Sequence, residues 1–197
     1  CLVNEAVARG YEVTGFVRNA HKIANSKAKT VVKDLFDITA DDLKEFDVVI
    51  DAFGAWTEKT LPLHITSLQH LCDLLSNTKI RLLVVGGAGS LYVDPAHTMQ
   101  VMDLDNFPEA FKPLAKNMGA ALTELRTRND VLWTYLSPAA DFQADGARTG
   151  NILLGGEEYF VNEKGVSAIS YADYAIAMID EIEKADHIQK RFSVIGA

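Results

Sequence analysis

Apolar positions along the chain fall into two alternating rhythms. Leu2, Val3, Ala6 and Val7 recur at helical spacing, and Gly10 stands where a helix C-terminus favours positive φ. An apolar strand is expected over residues 11–18, and a second over 29–36. Thr39 is placed to cap a short helix, "TADDLKEF". "DVVIDAFG" is a dense apolar run of the kind a strand buried on both faces shows. "LPLHITSLQHLCDLLSN" has helical period, with Pro62 near its start. "KIRLLVVGGAG" reads as a strand ending in glycines, residues 107–128 as a long helix, and "VLWTYLSP" as a strand stopped by Pro138. Beyond it the rhythm changes. "NILLGG" and "EEYFVNE" suggest a short β-pair. "SYADYAIAMIDEIEKA" places Tyr171, Tyr174, Ala175, Met178 and Ile182 on one helical face, and "KRFSVIG" closes as a strand.

Strands alternating with helices imply a parallel sheet covered on both faces. The expected fold is α/β: a Rossmann-like, doubly wound parallel sheet over residues 1–140. Residues 141–197 add a small C-terminal α+β substrate lobe of the same domain. Such a fold normally begins with a strand and a glycine-rich turn that seat a pyrophosphate on a helix N-terminus. This sequence opens inside a helix and without Met. The expectation is an expressed polypeptide longer by about a dozen residues.

Composition narrows the function classes. The net charge of −8 argues against a nucleic-acid partner and leaves a small-molecule substrate. The two cysteines form no framework, which fits a reducing, cytoplasmic setting. Cys72 belongs to an apolar helical face and reads as a core residue. No stretch has the apolar length of a membrane span, and an oligomer is possible.

Three strand ends let a ligand come close: Ala52, Phe53 and Gly54; then Gly86, Gly87 and Ala88; then Pro138 with Phe142 beyond it. Ligands of open α/β sheets lie beyond the carboxyl ends of the strands, and glycine there removes a Cβ from the approach. The plainer alternative is tight turns. The tip of the strand at 11–18 carries no acid. It carries Arg18, with Lys22 a turn later, a pair suited to the 2′-phosphate of NADP, although NAD is also possible. The alternative for Arg18 is a solvated surface residue. Asp34 and Leu35 end the next strand beside the expected adenine pocket. Ser90 and Tyr92 are candidates to face nicotinamide or substrate, against simple loop packing, and His97 is a candidate proton donor from the same loop. Arg148 and Thr149 in "GARTG" either close over a substrate or anchor their loop. Trp133 and Tyr135 alternate with core positions and read as packing. No metal-ligand spacing is present: His64 and His70 stand six apart on one helix, with no Cys or carboxylate cluster to complete a set.

Together "ARGYEVTGFVRNAHK", "DVVIDAFGAW", "LLVVGGAGSLYVDP", "WTYLSPAADF", "GARTG" and "ISYADYAIAMIDEIE" resemble the atypical short-chain dehydrogenase/reductases that bind NAD(P)H, near the NADH-flavin reductase-like, NmrA-like and biliverdin-reductase-B-like proteins. The resemblance spans nearly the whole chain and implies a Rossmann fold and a nicotinamide cofactor. The Tyr-x-x-x-Lys pair of typical short-chain dehydrogenases has no counterpart, since Lys112 stands four before Lys116. That absence favours hydride transfer to a flavin- or quinone-like acceptor, with flavin as a possible substrate, over alcohol–ketone chemistry. The alternative is a non-catalytic NADP-binding redox sensor that acts through a protein partner.

Overall fold

The computed structural model describes residues 1–197. The chain runs α1 (Leu2–Ala8), β1 (Thr14–Val17), β2 (Lys29–Val32), α2 (Ala40–Leu43), β3 (Val48–Asp51), α3 (Leu63–Leu75), β4 (Arg81–Val85), α4 (Lys112–Leu125), β5 (Leu132–Ser137), β6 (Asp141–Gln143), β7 (Ile152–Gly155), β8 (Ala168–Ser170), α5 (Tyr171–Lys184) and β9 (Lys190–Gly196). A five-stranded sheet has the order β3-β4-β5-β9-β7, parallel throughout except for β7. β1 and β2 form a separate parallel pair, as do β6 and β8.

Alternation along the strands sends side chains to two cores. Leu82, Val84, Trp133 and Tyr135 meet Leu68, Leu71 and Cys72 of α3 and Ala121, Leu122 and Leu125 of α4. Leu83, Leu136, Phe192 and Ile195 pack with Tyr174, Ala177 and Met178 of α5, against which α1 also lies. The sheet is thus covered on both faces, as a doubly wound fold requires. Cys72 is buried as expected, and burial pushes its thiol up to about 12.

Several elements differ from the sequence pattern. Within residues 1–197 β3 is the outermost strand of the five-stranded sheet, with Val48, Val49 and Ile50 half-buried. The second strand stops at Val32, because the Asp34 carboxylate accepts from the Phe36 N–H and turns the chain. The long helix is shorter, starting at Lys112 after a 3₁₀ turn at Glu109–Phe111. Residues 152–155 do not pair with 157–163. β7 pairs with β9 instead, in the register Leu154↔Val194. Phe160 fills the space left by Gly155, where a Cβ would stand 2.4 Å from its ring. The chain therefore folds back over β7 as a packed loop. Tyr171 leaves the buried face of α5 and is partly exposed. Residues 141–197 are woven into the core: β7 and β9 complete the main sheet, and α5 covers it.

Candidate functional site

β3, β4 and β5 are parallel and in register, Asp51 beside Val84 and Val85 beside Leu136, so their carboxyl ends share one edge. The segments that follow them are held by buried polar groups. The Asp51 carboxylate accepts from the Phe53 N–H at 2.9 Å, and its own burial raises its pKa. The Tyr135 hydroxyl accepts from the Gly87 N–H at 3.2 Å, and burial raises this phenol to about 12. His64 of α3 sets Nε2 3.1 Å from the Ala55 carbonyl oxygen, with its ring edge-on to Phe53 at 5.4 Å. Asp51, Phe53, His64, Ser67, Met118 and Tyr135 line a cavity of ≈ 20 Å³ beneath this edge. Ala52 and Gly54 are exposed, and Pro138 is buried where β5 ends.

The glycines after β4 have a packing role that the sequence pattern does not show. A Cβ on Gly86 would stand 2.2 Å from the Tyr135 ring, and one on Gly89 2.7 Å from the Ala115 Cβ. They let the turn lie close on β5 and α4, whatever else approaches them.

The loop after β4 carries three more candidates. Ser90 is buried, and its Oγ accepts from Arg191 Nη1 at 3.0 Å, so in this structure it is an anchor point. Tyr92 and His97 stack face to face, with centroids 4.3 Å apart and 4° between planes. His97 Nε2 lies 2.7 Å from Glu158 Oε1, and this contact lowers the Glu158 carboxyl. The Asp94 carboxylate closes the turn by accepting from the Met99 N–H, 2.7 Å, and the Thr98 N–H, 3.0 Å. Those bonds, the Met99 one foremost, lower its pKa. His97 is therefore held at φ +55° in a fixed orientation, partly open to solvent.

A third group lies around α5. Phe142 packs on Tyr171 and Tyr174 at 4.2 and 4.8 Å. Arg148 pairs with Glu5 of α1 at 3.1 Å. Thr149 donates through N and Oγ1 to Asp173, at 2.9 and 2.7 Å, and Gly150 N adds a third bond at 2.9 Å. Burial raises the Asp173 carboxyl, but these donors outweigh it and the net shift is downward. The "GARTG" loop is thus anchored between α1 and α5.

At the β1–β2 pair, Arg18 and Lys22 are both exposed and neither forms an ion pair within the chain. Leu35 packs on the α3–α4 core, and Asp34 is committed to its turn. No three His, Cys, Asp or Glu side chains gather into a metal set, and His70 Nε2 meets the Ile38 carbonyl oxygen at 3.0 Å. No helix is long and apolar enough to cross a membrane.

Glu5, Asp51, Asp173, Glu157, Glu158 and Arg191 are the groups that the sequence reading missed. A charged residue inside an apolar strand was the visible signal for Asp51 and Arg191. The others are recognised only through partners distant in sequence.

The profile of the NAD(P)H-binding family matches residues 1–182. The chain belongs to that family. The uncharacterized protein YwnB of Bacillus subtilis (strain 168) is 46% identical over 196 residues, covering 99% of this chain and 92% of YwnB. The crystal structure of a candidate NADH-flavin reductase from Streptococcus pneumoniae is 52% identical, with a TM-score of 0.95 over 100% of this chain and 92% of that one. A candidate epimerase from Bacteroides thetaiotaomicron is 37% identical, with a TM-score of 0.86 over 99% and 90% of the two chains. Membership assigns a nicotinamide cofactor and a Rossmann-type sheet to this chain.

Proposed function

We propose that this protein is an NADPH-preferring oxidoreductase that passes hydride to a flavin- or quinone-like small molecule. The observation that carries the cofactor preference is Arg18, an exposed guanidinium at the tip of β1 with no carboxylate partner, and Lys22 close in sequence. In an NAD-specific site an acid would bond the ribose hydroxyl. Here a planar, always charged fork is free to take a phosphate bidentately. The fit to a dinucleotide is further supported by the shared edge of three strand ends, with backbone fixed by Asp51 and Tyr135.

When bound, the nicotinamide supplies the hydride. The chain's part is to hold and orient. Arg18 and Lys22 take the 2′-phosphate, Leu35 borders the adenine, and the segments at 52–54 and 86–88 flank the dinucleotide. His97, oriented by Glu158 and Tyr92, is the candidate to give a proton to the reduced acceptor. The similarity to a candidate NADH-flavin reductase supports the acceptor class. A second reading, an NADP-binding redox sensor, draws on the lack of a Tyr-x-x-x-Lys pair on α4.

Calorimetric titration of NADPH and NADH into the parent and Arg18→Ala, paired with NADPH oxidation in the presence of FMN, tests both readings. Hydrogen bonds to charged groups contribute roughly 1.5–3 kcal/mol. Arg18→Ala is therefore expected to weaken NADPH binding about ten- to a hundredfold and to leave NADH nearly unchanged. Equal losses for the two cofactors would remove the NADP assignment. Binding without oxidation would favour the sensor.

A further inference from the structure

The loop between β3 and α3 contains a side chain that the fold does not use. Trp56 is 73% exposed, more than any other large apolar side chain in the protein, whereas Trp133 is 4% exposed in the core. Its exposure is not the result of a loose loop. Asp51 and His64 fix the backbone on one side, at Phe53 and Ala55. On the other side Thr57 N donates to Thr60 Oγ1 at 3.2 Å, and Thr60 Oγ1 donates to the Thr57 carbonyl at 3.0 Å. Ala55 and Leu61 are each 6% exposed and pin both flanks into the core. The indole lies along Gly54: a Cβ there would stand 3.4 Å from Nε1 and 3.8 Å from Cε2 and Cζ2. The ring thus rests on backbone while most of its surface stays open. It does so just past the carboxyl end of β3, at the edge where ligands of such sheets bind.

We propose that Trp56 is a stacking platform for a planar heteroaromatic ring. An uncharged indole does not select phosphate. Its π face favours an offset partner ring, and a platform fixed in advance lowers the ordering cost of binding. The inference rests on the oxidoreductase reading, which supplies two sources of such a ring: the dinucleotide and the acceptor.

The experiment titrates NADP⁺ and FMN separately, by calorimetry, into the parent, Trp56→Ala and Trp56→Phe, with thermal melts to confirm folding. Ring stacking on an aromatic side chain predicts that Trp56→Ala weakens one of the two ligands roughly 5- to 150-fold. Trp56→Phe is expected to recover most of that loss. A loss confined to NADP⁺ supports the platform with a ring of the dinucleotide, and one confined to FMN supports it with the acceptor. A parent that binds while Trp56→Ala binds equally well overturns the platform alone. Trp56→Phe as weak as Trp56→Ala also overturns it, because an aromatic face would then not be what matters. A parent that binds neither ligand overturns the platform together with the oxidoreductase reading.

Discussion

Asp51 ends an apolar strand with a carboxyl group that is 7% exposed and receives a hydrogen bond from the Phe53 N–H. Around it stand the Tyr135 phenol and the Ser67 hydroxyl, whose Oγ has no partner in the protein. Burial outweighs the Phe53 bond and raises the carboxyl above its unfolded value. The sign follows from proton linkage. A group whose folded pKa is raised contributes its full stability below the unfolded pKa, near 3.9 for Asp. It loses that contribution as pH climbs through the folded value. Asp51→Asn keeps an acceptor for the Phe53 N–H and never ionises. It is expected to be more stable than the parent at pH 7, with the difference shrinking towards pH 4. Urea denaturation at the two pH values measures this, and an Asn variant less stable at pH 7 would show that the ionised carboxylate is the favoured form.

Among the elements, α4 bears most directly on the chemistry. In typical short-chain dehydrogenases a Tyr four residues before a Lys donates a proton. On α4 that position is Lys112, which is engaged with Glu109 at 2.5 Å, and Lys116 is exposed without an ion-pair partner. Lys116→Ala is therefore expected to keep turnover with FMN within about tenfold of the parent. Steady-state kinetics decides it, and a loss beyond about a hundredfold, the scale for a positioned acid–base group, would contradict the assignment. The elements were legible where packing and pattern agree. β4, β5, α3 and α5 follow from apolar runs and helical spacing because their faces are buried. The pairing of 152–155 with 157–163 was misread because β9, which captures β7, lies some forty residues further on. The same distance hid half the candidate site. Arg18 and the three strand ends are local features. Glu5 meeting Arg148, and Asp173 meeting Thr149, are contacts that only the closed fold creates.

At the scale of the whole molecule, Arg191 joins parts that no single element connects. It sits inside β9, its side chain fully buried. Nη1 donates to the Ser90 carbonyl and hydroxyl oxygens at 2.9 and 3.0 Å. Nη2 donates to the Glu157 carbonyl at 3.1 Å and to its carboxylate. The guanidinium also lies 5.6 Å from the centre of the Tyr92 ring. Arg126, just past the end of α4, reaches the same Glu157 carboxylate at 2.5 Å. Arg191 thus ties β9, the loop after β4 and the segment following β7 together, Glu157 extends the network to Arg126 beyond α4, and the loop after β4 carries Tyr92 and His97. Removing one partner of such a pair leaves a buried charge uncompensated, which costs about 3–5 kcal/mol. Glu157 retains some contact with water, so Glu157→Ala is expected near the low end, about 3 kcal/mol by urea denaturation. A second substitution separates charge from packing. Arg191→Met removes the charge and keeps an apolar stem in the same space. Glu157→Ala combined with Arg191→Met is therefore expected to be more stable than Glu157→Ala alone, although Ser90 loses its donor. If the double variant is the less stable of the two, the hydrogen bonds of Arg191 to the main chain, rather than its charge balance with Glu157, hold the site loop in place.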